Sequence, residues 1–214
     1  MRSQLTLVII IILAALTFSC ADPAANKPKA TVANAQPETN ASKPATSEKL
    51  VISPENSKVE FVAAKVTRSH QGSFKQFAGT IDLVPNSIPD SRVTIDIETK
   101  SVVTDEDDLT NHLKTPDFFD AAKFPKATFV STKIEPGTKA STTHDVTGNF
   151  DLHGVKKSIT FPATIQVASD SVSVNAEFSI NRKDFGIVYA GKADDLIRDG
   201  VVIKLTVKVP RTKP

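Results

Sequence analysis

The side chains best placed for acid–base or metal chemistry near neutral pH are the four histidines, His70, His112, His144 and His153. They are scattered, and none forms an HxH or HExxH pattern that would set two ligands on one face. A metal site would have to be assembled in space. The plainer reading is that His112 and His153 serve hydrogen bonds at a helix end or a turn. Carboxylates are numerous, but Asp105, Glu106, Asp107 and Asp108 read as the acidic first turn of a helix in solvent. Asp184, Asp194, Asp195 and Asp199 flank Arg182 and Arg198, a pattern suited to ion pairs that pin a loop. No Gly-x-Ser-x-Gly elbow and no Gly-rich phosphate loop occurs. The net charge of +2, with no basic run, argues against nucleic acid. No catalytic residue, metal or cofactor is expected.

What remains is apolar. The chain has 12 phenylalanines, no tryptophan and the single tyrosine Tyr189. An interior of Phe, Ile, Leu and Val suits an apolar ligand, because each buried methylene contributes about 0.8 kcal/mol. The same side chains also serve as an ordinary filled core, and composition does not separate the two.

The elements that must position them are mostly strands. Val93, Ile95 and Ile97 alternate with Thr94, Asp96 and Glu98, the period of a half-buried antiparallel strand. Similar alternation runs through Val59–Ala63, Thr80–Val84, Phe129–Thr132, Val146–Leu152, Ile159–Val167, Val172–Ile180 and Val201–Val209. Arg68–Ser73 reads as a break. About eight strands result, and a sheet of that size closes into a barrel just wide enough for a packed interior or one small ligand. Alternation alone also allows a two-layer sandwich. One helical insertion interrupts the strands, at Asp108–Glu135. Thr104 is placed to cap its first helical piece, and Thr115-Pro116 restarts a second. Adjacent Phe118 and Phe119 then point in different directions, one into a core and one over an opening.

The chain opens with Arg2 and the apolar run Leu5–Leu16, too short for a comfortable span of about 20 residues and suited to a secretory signal. Leu16-Thr17-Phe18-Ser19-Cys20 resembles the lipobox of bacterial lipoproteins, which makes Cys20 the lipidated first residue of the mature protein. Cys20 is also the only cysteine, so no disulfide forms within the chain. Residues 1–19 are therefore read as a lipoprotein signal peptide. Residues 20–48, rich in Ala, Pro, Thr, Ser and Asn, are read as a disordered tether. Residues 49–214 are the folded domain.

The run HLKTPDFFDAAKFPKATFVSTKI, His112 to Ile134, closely resembles the signature of the YceI-like family. Gly148–Lys157, with its strand into a His-Gly turn, resembles a second signature, and Asn181-Arg182-Lys183-Asp184-Phe185-Gly186 resembles a third. Asp194–Asp199 fits the closing segment, and the resemblance covers about Leu50 to Val209. It implies an all-β, lipocalin-like antiparallel barrel that binds a polyisoprenoid or similar long-chain lipid without catalysis. On that reading Phe61, Ile95, Phe118, Phe119, Phe150, Phe161 and Phe178 line the lipid cavity, and His112 and Arg182 meet a head group. The expected setting is the bacterial cell envelope. The anchor at Cys20 faces the periplasm, and Asp22 after Ala21 favours the outer membrane. Relatives that form dimers extend the expectation to a homodimer. Two alternatives stay open: an envelope stress or interaction module with a filled core, and an enzyme acting on an isoprenoid or quinone-like substrate.

Overall fold

The computed structural model describes residues 21–37, 47–138 and 141–211. In chain order the strands are β1 (Thr31–Asn34), β2 (Glu48–Ile52), β3 (Ser57–Ala64), β4 (Ser69–Phe74), β5 (Phe77–Leu83), β6 (Arg92–Glu98) and β7 (Val102–Thr104). Helix α1 (Asp107–Leu113) follows. Then come β8 (Lys126–Pro136), β9 (His144–Leu152), β10 (Val155–Val167), β11 (Ser171–Asn181), β12 (Gly191–Lys192), β13 (Asp195–Leu196) and β14 (Gly200–Pro210). The strand count exceeds the expected eight. Part of the excess is β4, in the segment read as a break. Its backbone pairs with β3 and β7, which needs no apolar alternation.

One antiparallel sheet runs in the order β2-β5-β6-β8-β9-β10-β11-β14-β3-β4-β7, with β1 added beside β10 and β12–β13 forming a separate hairpin. Its two ends, β2 and β7, are joined through the chain rather than by a ladder. Lys75 and Gln76 alone link β4, next to one end, to β5, next to the other. Such a link spans roughly 10 Å at most. Thr99–Ser101 carries β6 to β7 in the same way, and Ser53–Asn56 carries β2 to β3. The sheet must therefore curl strongly enough to bring strands near its two ends within reach of these links. A bulge between Ser131 and Lys133 in β8 adds local bend.

The curl has a packed end and an aromatic end. Val172 faces Val209, and Arg211 pairs with Glu48 at 2.9 Å; Glu48 in turn faces Leu83. Aliphatic side chains fill this region, with Ile52, Leu83, Val172 and Val209 fully buried. The opposite end carries α1, the turns after it and the β12–β13 hairpin.

The helical insertion differs from the expectation. Among the described residues there is one α-helix, and its N-cap residue is Glu106, with no side-chain cap. Thr104 instead donates to the Glu106 carbonyl at 2.7 Å and meets the Thr110 hydroxyl at 2.9 Å. The second piece is a series of turns. Asp120 adopts a left-handed φ of 43°, which stops helical continuation.

The disordered tether also needs correction over the described residues 21–37. Thr31–Asn34 pairs antiparallel with β10, Ala30 is 3% exposed within the apolar core, and Ala30 N–H donates to the Ser179 carbonyl at 2.8 Å. Backbone pairing with exposed strand positions holds a segment whose composition alone offers little to bury. The signal segment, Cys20 and residues 38–46 lie outside the described residues.

The inner wall depends on two close approaches. The far edge of the Phe61 ring occupies the place of a Cβ on Gly72, its cross-strand partner, and Phe129 does the same over Gly148. The rings thus lie against the wall. Gly72→Ala is expected to push Phe61 off it and lower the unfolding free energy by about 1–3 kcal/mol, as overpacking does. Urea unfolding checks this, and an unchanged midpoint would show that the ring is free to move.

Candidate functional site

The aromatic end is built on α1. Its last turn presents His112, and the Thr115 hydroxyl donates to the His112 carbonyl at 2.8 Å, tightening the exit. His112 Nε2 lies 2.7 Å from Asp117 Oδ2. Both side chains are more than one-third exposed. The His112 ring meets Phe118 at 5.0 Å and Tyr189 at 5.3 Å, and Phe118 meets Tyr189 at 5.5 Å, all edge to face. This places a polar dyad on an aromatic collar at the rim.

Phe118 and Phe119 do part company. Phe118 is buried in the collar. Phe119 is partly buried and meets Phe74 at 5.6 Å, which meets Phe61 at 5.9 Å. A ladder of rings therefore runs from the insertion to β3. A second ladder lies across the sheet: Phe129 meets Phe161 at 5.7 Å, and Phe161 stacks on Phe178 at 4.2 Å and 11°. Ile95 faces Phe129 across β6 and β8. Phe150 joins neither ladder; it is partly buried and meets Phe185 at 5.3 Å. Sequence reasoning missed Phe74, Phe129, Phe185 and Tyr189. The alternation of Phe129 with Thr128 and Val130 could have found it, whereas Tyr189 reaches the collar only through tertiary folding.

Arg182 is not a free cation at the rim, which corrects its expected head-group role. It is 4% exposed. Its Nη1 donates to the Ile187 carbonyl at 2.7 Å, Nε to Arg198 O at 3.2 Å, and Nη2 to Ile197 O and to Asp199 Oδ1, both at 3.3 Å. Burial pulls its pKa below the usual guanidinium range, and the Asp199 charge opposes that pull. Of the expected pinning pairs Arg182–Asp199 forms, and Asp199 also takes Lys183 at 2.9 Å. Asp195 reaches instead to Lys65 at 3.0 Å. The guanidinium fork clamps the loop carrying Tyr189.

The remaining histidines stay apart. Buried His70 holds Asp105 at 3.1 Å, tying β4 to the segment leading into α1. His144 Nδ1 meets the Thr143 hydroxyl at 2.7 Å, and burial lowers its pKa. His153 packs on Phe124 at 4.9 Å. Among the described residues no group of three His, Cys, Asp or Glu side chains is placed to hold a metal.

Arg182→Ala is expected to destabilise the fold by about 2–4 kcal/mol, since buried carbonyls lose a charged donor. Arg182→Lys should recover little, because a point charge cannot reproduce the fork. Chemical denaturation of both variants checks the clamp.

The fold has clear counterparts. The profile of the YceI-like domain matches residues 50–209. A UPF0312 protein of Pseudomonas fluorescens (strain SBW25) is 32% identical over 132 residues, covering 59% of this chain and 68% of the relative. Protein YceI of Salmonella arizonae is 35% identical over 122 residues, covering 54% of this chain and 62% of that one. The chain thus spans about two thirds of the length of these relatives. Among solved structures, Burkholderia cenocepacia BcnA superposes with a TM-score of 0.65 at 24% identity, over 73% of this chain and 98% of that one. A polyisoprenoid binding domain from Saccharophagus degradans, implicated in plant cell wall breakdown, gives 0.61 at 18% identity, over 78% and 100%. Both show the same curled antiparallel fold. With the profile matched from β2 to the end of β14, the chain belongs to the YceI-like domain family.

Proposed function

We propose that this protein is a lipid-anchored, non-catalytic binder that holds a polyisoprenoid or similar long-chain lipid in the bacterial cell envelope. The observation that carries the reading is the division of chemistry along the barrel. Ring ladders line the inner wall, and a polar dyad, His112–Asp117, sits on an aromatic collar at the rim. A long hydrocarbon needs apolar wall along its length and polar partners at its head. Membership of the YceI-like family supports the same reading, as does the fold shared with a polyisoprenoid binding domain. His112 and Asp117 take the head-group role on this proposal, with Tyr189 beside them. Cys20 is the lipidation site, and the protein faces the periplasm, at the outer membrane. A filled-core interaction module is the competing reading, favoured by the close Phe161–Phe178 stack.

Protein purified without detergent is expected to carry a stoichiometric lipid, identified by native mass spectrometry and organic extraction. Protein that comes out empty and takes up no added polyprenol moves the function to the filled-core module. Phe119→Ala, at a partly buried ring, is expected to weaken polyprenol binding about ten-fold, the equivalent of about 1.4 kcal/mol. A fluorescence titration checks it, with thermal unfolding as the control for folding. Cys20→Ser is expected to release the protein from the membrane fraction and to abolish the mass added by acylation.

A further inference from the structure

The barrel wall has a split. Strands β10 and β11 pair only from Thr164–Val167 to Val172–Asn175. Beyond that point β10 continues along β9 down to Val155, and β11 continues along β14 to Asn181. The two strands part toward the aromatic end. Pro162 stands at the split and has no N–H to give to a ladder. Carried onward, the β10–β11 register would set Phe161 opposite Phe178, and it is these two rings that stack at 4.2 Å beneath the opening.

The N-terminal segment roofs this split and touches both strands. On one side Thr31–Asn34 pairs with Thr160–Lys157 of β10. On the other, Ala30 N–H donates to the Ser179 carbonyl and Ser179 N–H to the Pro28 carbonyl, each at 2.8 Å. The Asn149 side chain then clasps Gln36, accepting from its N–H at 2.9 Å and donating to its carbonyl at 2.8 Å. Between the Lys27–Glu177 ion pair at 2.8 Å and the Asn149 clasp, the roof buries few side chains. Ala30 is buried and Val32 half-buried, while the other β1 residues are exposed. Most of its hold is backbone hydrogen bonding, which water can replace. A cleft of about 600 Å³ lies along it, bordered by Lys29, Ala30, Asn34, Lys157 and Asp184. The segment also precedes the family profile, which starts at residue 50.

We propose that the β10–β11 split is a side entrance through which a long-chain lipid slides into the barrel, and that Pro28–Gln36 is the removable strand that closes it. The proposal rests on the lipid-binding reading above. A lateral slot suits a ligand too long to thread end-on, and the Phe161–Phe178 stack is the inner leaf that parts behind the displaced strand. Because the strand lies just after the membrane-proximal Cys20, loading is coupled to the position of the anchor.

The test locks the strand. Ala33 and Ser158 are cross-strand partners, and such pairs lie within disulfide range. In a Cys20→Ser background, Ala33→Cys with Ser158→Cys is oxidised, and the uptake rate of a fluorescent polyprenol is compared before and after reduction. Uptake at least ten-fold slower in the oxidised form, restored by reduction with the equilibrium affinity unchanged, is the expected result. Equal rates in the two forms overturn the side entrance and leave lipid binding standing. Uptake by neither form nor by the unlocked Cys20→Ser parent overturns the lipid-binding reading and the entrance with it. Deletion of residues 22–37 gives an independent readout: faster uptake supports the closing strand, and unchanged uptake overturns it. Should the deletion fail to fold, the locked pair decides alone.

Discussion

The constraint on which this structure turns is the shortness of three links. Lys75-Gln76, Thr99–Ser101 and Ser53–Asn56 each join strands near opposite ends of one sheet. An extended residue covers at most about 3.6 Å, so the sheet has no flat alternative. Curling then gives every strand an inside and an outside, and alternation assigns the apolar side chains to the inside. The two edge strands, β2 and β7, are short, five and three residues, which limits the open ladder that invites aggregation.

Once the sheet is curled, the glycines facing large rings become part of the design. At Gly72 and Gly148 the missing Cβ lets Phe61 and Phe129 lie along the wall instead of projecting across the interior. Two buried, chargeable side chains toward the aromatic end are bonded. Arg182 spends its fork on carbonyls and Asp199, and His70 holds Asp105. Both positions stiffen the aromatic end, where loop, hairpin and helix converge without a continuous ladder to order them. An apolar interior with a stiff, partly polar rim is a chemical environment matched to an amphiphile with one long tail.

Within the main sheet order, the split between β10 and β11 is where two neighbouring strands part and a segment from elsewhere in the chain covers the gap. Pro162 weakens the ladder there, and the N-terminal segment takes its place. Closure there comes from a segment outside the family domain rather than from the barrel's own strands. This links two parts of the chain that composition sets far apart, the segment Pro28–Gln36 and the aromatic interior.

Much was legible in the residues themselves. Period-two alternation identified the long strands because side chains of a sheet must face opposite sides, and that rule is local. The helical insertion and the divergence of Phe118 from Phe119 were legible for the same reason. The resemblance of His112–Ile134 to the YceI-like signature then selected a barrel over a sandwich, which alternation cannot do. Other features belonged to the tertiary structure. Pairing of β4, the docking of Thr31–Asn34 and the burial of Arg182 all depend on backbone partners contributed from distant positions, and backbone groups are the same in every residue. Tyr189 and His112 lie far apart in the chain and meet only after the Arg182 clamp folds the intervening loop. Sequence alone determined which side chains are apolar and how they alternate; the tertiary fold decided which of them face a common interior, because that depends on where the sheet closes.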